Sequence, residues 1–209
     1  TASAAGSAVN CGCAMYIAPV GMINAGQPRA AYNEAIDWAA AHTLSYGREA
    51  AGVLAACVAE ALRPGATWQT VVAVALDLAK DGTRAAIEAL QTAAQSLPPF
   101  NAESETAEAG MTRAAALRAE MLPFDTLKEP NKSYTQYGRY PSRLHSIEEL
   151  PLALAYLAWA QGDYRRAALG GANYGRDSDS IASMAGALAG ALGGRAAIPA
   201  EWIQTVEQV

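Results

Sequence analysis

Gly175-Arg176-Asp177-Ser178-Asp179-Ser180 runs directly into Ile181-Ala182-Ser183-Met184-Ala185-Gly186-Ala187-Leu188-Ala189-Gly190-Ala191-Leu192. The second part is almost wholly Ala, Gly and Leu. Small residues at every close-packing position predict a helix over Ser178–Leu192 that lies near its neighbours and is buried among them. Gly175 lets the backbone turn sharply into it. At the start of this helix, Asp177, Asp179 and Ser180 put two carboxylates and a hydroxyl within four residues. The spacing admits two readings. In one, the acids are helix caps favoured by the helix dipole, with Ser178 or Ser180 as a second cap. In the other, Asp177, Asp179 and Ser180 form half the oxygen shell of a hard divalent cation such as Mg²⁺.

The rest of the chain is of the same character. Its 209 residues are 52% hydrophobic, dominated by alanine, with only 7% aromatic. That composition favours closely packed helices and argues against a sandwich or barrel, which needs more β-branched and aromatic residues. No segment alternates clearly with period two, and no repeat of fixed period appears. The expected fold class is all-α, with residues 1–209 in a single domain. A net charge of -5 and a pI near 5.1 leave no basic face to track a phosphate backbone, so nucleic acid is not an expected partner. No apolar run approaches the roughly 18–20 residues of a membrane span, and Thr1 to Asn10 lacks the regions of a signal peptide. Cys11, Cys13 and Cys57 make no disulfide framework and no zinc cluster, which points to a reducing, cytoplasmic setting. Cys11 and Cys13 read as small packing residues, because no base neighbours them in sequence.

Along the chain, Asn10 to Gly26 reads as irregular. Helices follow at Pro28 to about Leu44, at Arg48–Leu62, and from a Thr67 N-cap through Ala79. Thr83 is the expected cap of the next, which runs to Ser96, and another spans Ala102–Met121 with Glu103, Glu105 and Glu108 in its first turns. Leu122 to His145, with three prolines and three tyrosines, is the one long connection. Further helices are expected at Ile147–Gln161, Asp163–Asn173 and Pro199–Val209, beside Ser178–Leu192.

Several of these segments together resemble one family. Gly175 to Ser180, Gly186-Ala187-Leu188-Ala189-Gly190-Ala191 and Ile198-Pro199-Ala200-Glu201-Trp202 resemble the C-terminal signature of the ADP-ribosylglycohydrolase family. That family includes dinitrogenase reductase-activating glycohydrolase and the ADP-ribosyl-acceptor hydrolases. Asn10 to Gly21 is similar to the family's Asn-Gly-x-x-Met-Arg-x-x-Pro-x-Gly stretch, with an extra residue between Asn10 and Gly12 and with Tyr16 where Arg is usual. His42 follows at a similar distance to the family's Thr-His segment. Ser146-Ile147-Glu148 with Pro151-Leu152-Ala153-Leu154 resembles the helix that precedes the metal motif.

The resemblance implies a compact orthogonal helical bundle that lacks the family's N-terminal helices and covers the C-terminal two-thirds of its domain. It implies Mg²⁺, with Mn²⁺ as a possible substitute, in a two-metal centre to which Asp177, Asp179 and Ser180 contribute. The metals would grip the diol of a terminal ribose and set a water against its anomeric carbon. Asn10, Gly12 and Cys13 would follow ribose and phosphates through backbone N–H groups, His42 and Tyr46 would wall the cleft, and Tyr140 and Arg143 would meet base or diphosphate. The expected activity is hydrolysis of a glycosidic bond to ADP-ribose or a related ribosyl group on a protein or small molecule. The alternatives are a non-catalytic binding or structural member of the fold, or a hydrolase of another ribosylated small molecule. The family's Thr-Asp-Asp ligands and its catalytic base have no counterpart in these residues. The expected source is a second polypeptide or a processed N-terminal fragment.

Overall fold

In the computed structural model, which describes residues 9–99, 106–125 and 146–208, the alanine-rich segments fold as eleven helices. They are α1 Gly12–Tyr16, α2 Ala18–Ile23, α3 Pro28–Ala39, α4 Ser45–Ala61, α5 Trp68–Leu78, α6 Asp81–Ser96, α7 Ala107–Met121, α8 Glu149–Trp159, α9 Tyr164–Ala172, α10 Ser178–Gly193 and α11 Ala200–Glu207. No strand occurs among the described residues, so the class is all-α as composition predicts. None of these helices is long and apolar enough to cross a membrane.

Two helices form the interior. α4 is buried from Ala50 to Ala61, and α8 is buried over its whole length. Their residues allow close approach because most are Ala, Gly or Leu. A Cβ added at Gly52 of α4 would lie 2.9 Å from the Ile36 side chain of α3, and one at Gly21 of α2 would lie 2.5 Å from the Ala55 carbonyl of α4. Both positions need glycine for proximity. α10 runs against α4, α8 and α9 and also meets α1, so its first turn sits where α1 and α8 begin.

The predicted boundaries shift in physically informative ways. Asn10 to Gly26 is not irregular: it holds α1 and α2, with Pro19 in the first turn of α2, where a missing N–H costs nothing. Burial of Ala14 and Ile17 against the core, rather than local propensity, fixes these short helices. α3 stops at Ala39, short of Leu44, because the backbone turns to bury Thr43 and to stack His42 on Trp38. α6 starts at Asp81, and Thr83 is a buried interior residue rather than its cap. Thr67, Thr106 and Asp163 do cap: each accepts a hydrogen bond from an N–H in the first turn of α5, α7 and α9 respectively. Glu108 lies in the first turn of α7, while Glu103 and Glu105, like Thr126 to His145 of the long connection, lie outside the described residues.

Candidate metal centre

Asp177 occupies the N-cap position of α10 and makes no capping hydrogen bond. Its carboxylate turns the other way. The Cys11 thiol donates to Asp177 Oδ2 at 3.1 Å, and the Ser180 hydroxyl donates to Asp177 Oδ1 at 2.8 Å. Met15 Sδ stands 3.0 Å from the same hydroxyl. Behind them lies Glu149, the first residue of α8 and 5% exposed, whose Oε2 meets no donor group among the described residues and whose carboxyl faces Asp177. One ligand atom each from Cys11, Glu149 and Asp177 fall within 4.8 Å of one another. Three chain segments far apart in sequence therefore converge: the entry to α1, the start of α8 and the start of α10.

The electrostatics follow from burial. Glu149 is pushed well above the usual carboxylate range, chiefly by desolvation and then by its neighbours Glu148 and Asp177. Burial acts on Asp177 in the same direction, but its hydrogen bonds with Cys11, Ser180, Glu149 and Asp179 outweigh it and hold that carboxyl below its ordinary value. Cys11 is raised far up, first by burial and next by Glu149, so it stays a neutral donor. Burial thus favours the neutral form of Glu149, while the hydrogen bonds around Asp177 favour its charged form.

A second set of contacts fixes the loop. Glu148 is buried and turns away from Glu149, accepting from the Tyr174 hydroxyl at 2.6 Å and from Arg176 Nε at 3.2 Å. Arg118 Nη2 donates to the Tyr174 carbonyl at 2.5 Å. Gly175, at φ +88°, makes the turn between these anchors, and its N–H donates to Ser178 Oγ at 2.9 Å. A side chain at this φ would be strained.

The other sequence-derived residues fall in different places. Asp179 is exposed in the first turn of α10, beside Asp177. Asn10 is exposed, and its Oδ1 accepts from the Gly12 N–H at 2.9 Å. Cys13 is buried in the core with its thiol against Tyr16. His42 stacks on Trp38 with centroids 4.4 Å apart, and Tyr16 stands edge-on to both. Tyr46 lines a separate shallow hollow with Glu49, Lys80 and Asp81. Tyr140 and Arg143 lie outside the described residues.

Sequence reasoning missed Glu149 and set Cys11 aside as packing. The signal for Glu149 was present: two adjacent acids, Glu148-Glu149, open a run that is otherwise apolar from Leu150 to Trp159. Acids do not enter such a run without partners, and successive helical residues point about 100° apart, so the two need different ones.

The family model described as ADP-ribosylglycohydrolase matches residues 1–209. No curated protein and no solved structure matches the chain.

Proposed function

This chain belongs to the ADP-ribosylglycohydrolase family, and from that premise we propose that it hydrolyses a glycosidic bond to ADP-ribose or a related ribosyl group, with Mg²⁺, or Mn²⁺ in its place, held at the Asp177 cluster. One observation carries the reading. Asp177 sits where a helix cap belongs, yet its carboxyl meets the buried carboxyl of Glu149, acid against acid. Buried carboxyl oxygens are rarely left unpaired, and a divalent cation between Asp177 and Glu149 would satisfy both acids.

The donor set suits a hard cation. Asp177, Glu149 and Ser180 offer oxygens, with Asp179 on the solvent side, while the Cys11 thiol remains protonated and serves as a hydrogen-bond donor to Asp177. When bound, the cation supplies the charge that grips the ribose diol and acidifies a water beside the anomeric carbon. The protein's own part is positional. Glu149 and Asp177 would hold the cation between them, and Ser180 is oriented by its bond to Asp177 Oδ1. Glu148 keeps the loop from drifting by holding Tyr174 and Arg176 on either side of Gly175. Mg²⁺ takes about six oxygen ligands, more than this cluster offers. The remainder would come from water, substrate and a second acidic segment outside these residues.

The test is release of ADP-ribose from an ADP-ribosylated peptide, with and without Mg²⁺, on the protein as isolated. Turnover is expected to require Mg²⁺ and to fall at least about 10²-fold in Asp177→Asn and in Glu149→Gln with helical content unchanged. Equal turnover in EDTA, or wild-type rates in both variants, removes the assignment.

A further inference from the structure

We propose, on the reading that a cation sits at the Asp177 cluster, that Cys11 also makes this cluster a site for a thiophilic divalent cation. Zn²⁺ or Cd²⁺ would bind through the Cys11 thiolate together with Asp177 and Glu149, and would shut out the hard cation. Cys11 Sγ, one carboxyl oxygen of Asp177 and one of Glu149 lie within 4.8 Å of one another. Zinc bonds run about 2.3 Å to sulfur and about 2.0–2.2 Å to oxygen, which at tetrahedral angles sets ligand atoms roughly 3.5 Å apart. Cys11 Sγ stands 3.1 Å from Asp177 Oδ2 and 3.4 Å from the Ser180 hydroxyl, so the sulfur and two oxygens are already near that spacing.

Glu149 supplies a further corner from inside the protein. It is 5% exposed, and its Oε2 meets no donor group among the described residues. A buried carboxyl oxygen in that state, set against a second acid, is completed by a cation.

Hardness decides which cation uses the sulfur. Mg²⁺ and Mn²⁺ prefer oxygen and leave the thiol as a donor to Asp177, whereas thiolate ligands select zinc-like ions. On ligation the thiol proton passes to solvent, and the shared metal replaces the thiol's hydrogen bond to Asp177. Met15 Sδ, 3.0 Å from the Ser180 hydroxyl, puts a second soft atom at the edge of the same shell. Zinc outranks manganese at most donor sets whether or not sulfur is present. The property that belongs to Cys11 is therefore the ratio of the two affinities.

Co²⁺ is the probe, because thiolate ligation gives it an intense near-ultraviolet charge-transfer band that oxygen ligands do not. Added to the whole protein, Co²⁺ is expected to raise this band, stoichiometric Zn²⁺ to bleach it, and excess Mg²⁺ to leave most of it. In Cys11→Ser, whose hydroxyl can donate to Asp177, the band should vanish. The ratio of Zn²⁺ to Mn²⁺ affinity should fall there at least about 10²-fold, the upper end of what even an outer partner of a metal ligand is worth. Cys13→Ala should keep the band. Wild-type protein that takes up Mn²⁺ but shows no Co²⁺ band overturns the thiolate site and leaves the hard-cation reading standing, while uptake of neither ion removes both. A band that survives in Cys11→Ser belongs to another thiol and overturns the proposal. X-ray absorption at the zinc edge needs no variant: one sulfur at about 2.3 Å in the wild-type complex supports the site, and an all-oxygen shell overturns it.

Discussion

Gly171→Ala tests whether proximity between α9 and α10 is what holds the Gly175 loop and Asp177 in place. A Cβ at Gly171 would lie 2.8 Å from both N and Cα of Ala182 and 3.0 Å from the Ile181 carbonyl carbon, all backbone atoms of α10. Comfortable carbon contacts sit near ~3.5–4.0 Å, so the helices must part by about 1 Å. Overpacking of this kind costs about 1–3 kcal/mol. Alanine returns up to about 1 kcal/mol of helix propensity at an interior position. The net expectation is a loss of about 1–2 kcal/mol, which for a chain of this length lowers the melting temperature by roughly 3–7 °C. Gly110→Ala is the matched control, because a Cβ there meets nothing within 4 Å. It should gain about 0.5–1 kcal/mol. Thermal melts of the two variants, read by far-UV circular dichroism against the wild type, give the comparison. If Gly171→Ala stabilises as Gly110→Ala does, the helices are not in the close contact described, and the positioning of Asp177 by packing fails with them.

Three further predictions concern the site and its supports. Arg176→Ala leaves the buried Glu148 carboxylate with only the Tyr174 hydroxyl, and urea unfolding should show a loss of about 2–4 kcal/mol, less in Glu148→Gln/Arg176→Ala, where no charge is stranded. In metal-free buffer, Glu149 binds its proton more tightly folded than unfolded, so stability falls as pH rises above the ordinary glutamate value of about 4.3. Glu149→Gln should flatten that decline, as denaturant melts at a series of pH values will reveal. Cys57 is fully buried with its thiol pushed up by desolvation, and Cys13 is buried with its thiol raised for the same reason. Neither should react with iodoacetamide in the native protein, and mass spectrometry of digests should find both alkylated only after unfolding.

The long helices were legible because their burial is written in composition. Ala50 to Ala61 and Leu150 to Trp159 contain little that can face water, so α4 and α8 had to be interior. The short helices were not legible. α1 and α2 hold Gly12, Pro19 and Gly21, and what makes them helical is contact with α4, which local sequence does not record. The same limit applied at the site. Asp177 and Ser180 are neighbours in sequence and could be paired by spacing, whereas Cys11 lies 166 positions from Asp177 and meets it only through the packing of α1 on α10. Local reading also left the choice between cap and ligand open, because both place an acid before a helix. The Asp177 side chain makes no bond to the helix amides and pairs with Cys11 and Ser180 instead, so it does not cap α10.

Whether Asp177 and Glu149 together hold a divalent cation is read out by Mn²⁺ titration followed by electron paramagnetic resonance. The wild-type protein is expected to remove free Mn²⁺ signal saturably, with Mg²⁺ competing, and Asp177→Asn and Glu149→Gln each to abolish the uptake while keeping their helical spectra. Uptake in either variant that equals the wild type's, or no uptake by the wild type, would contradict it.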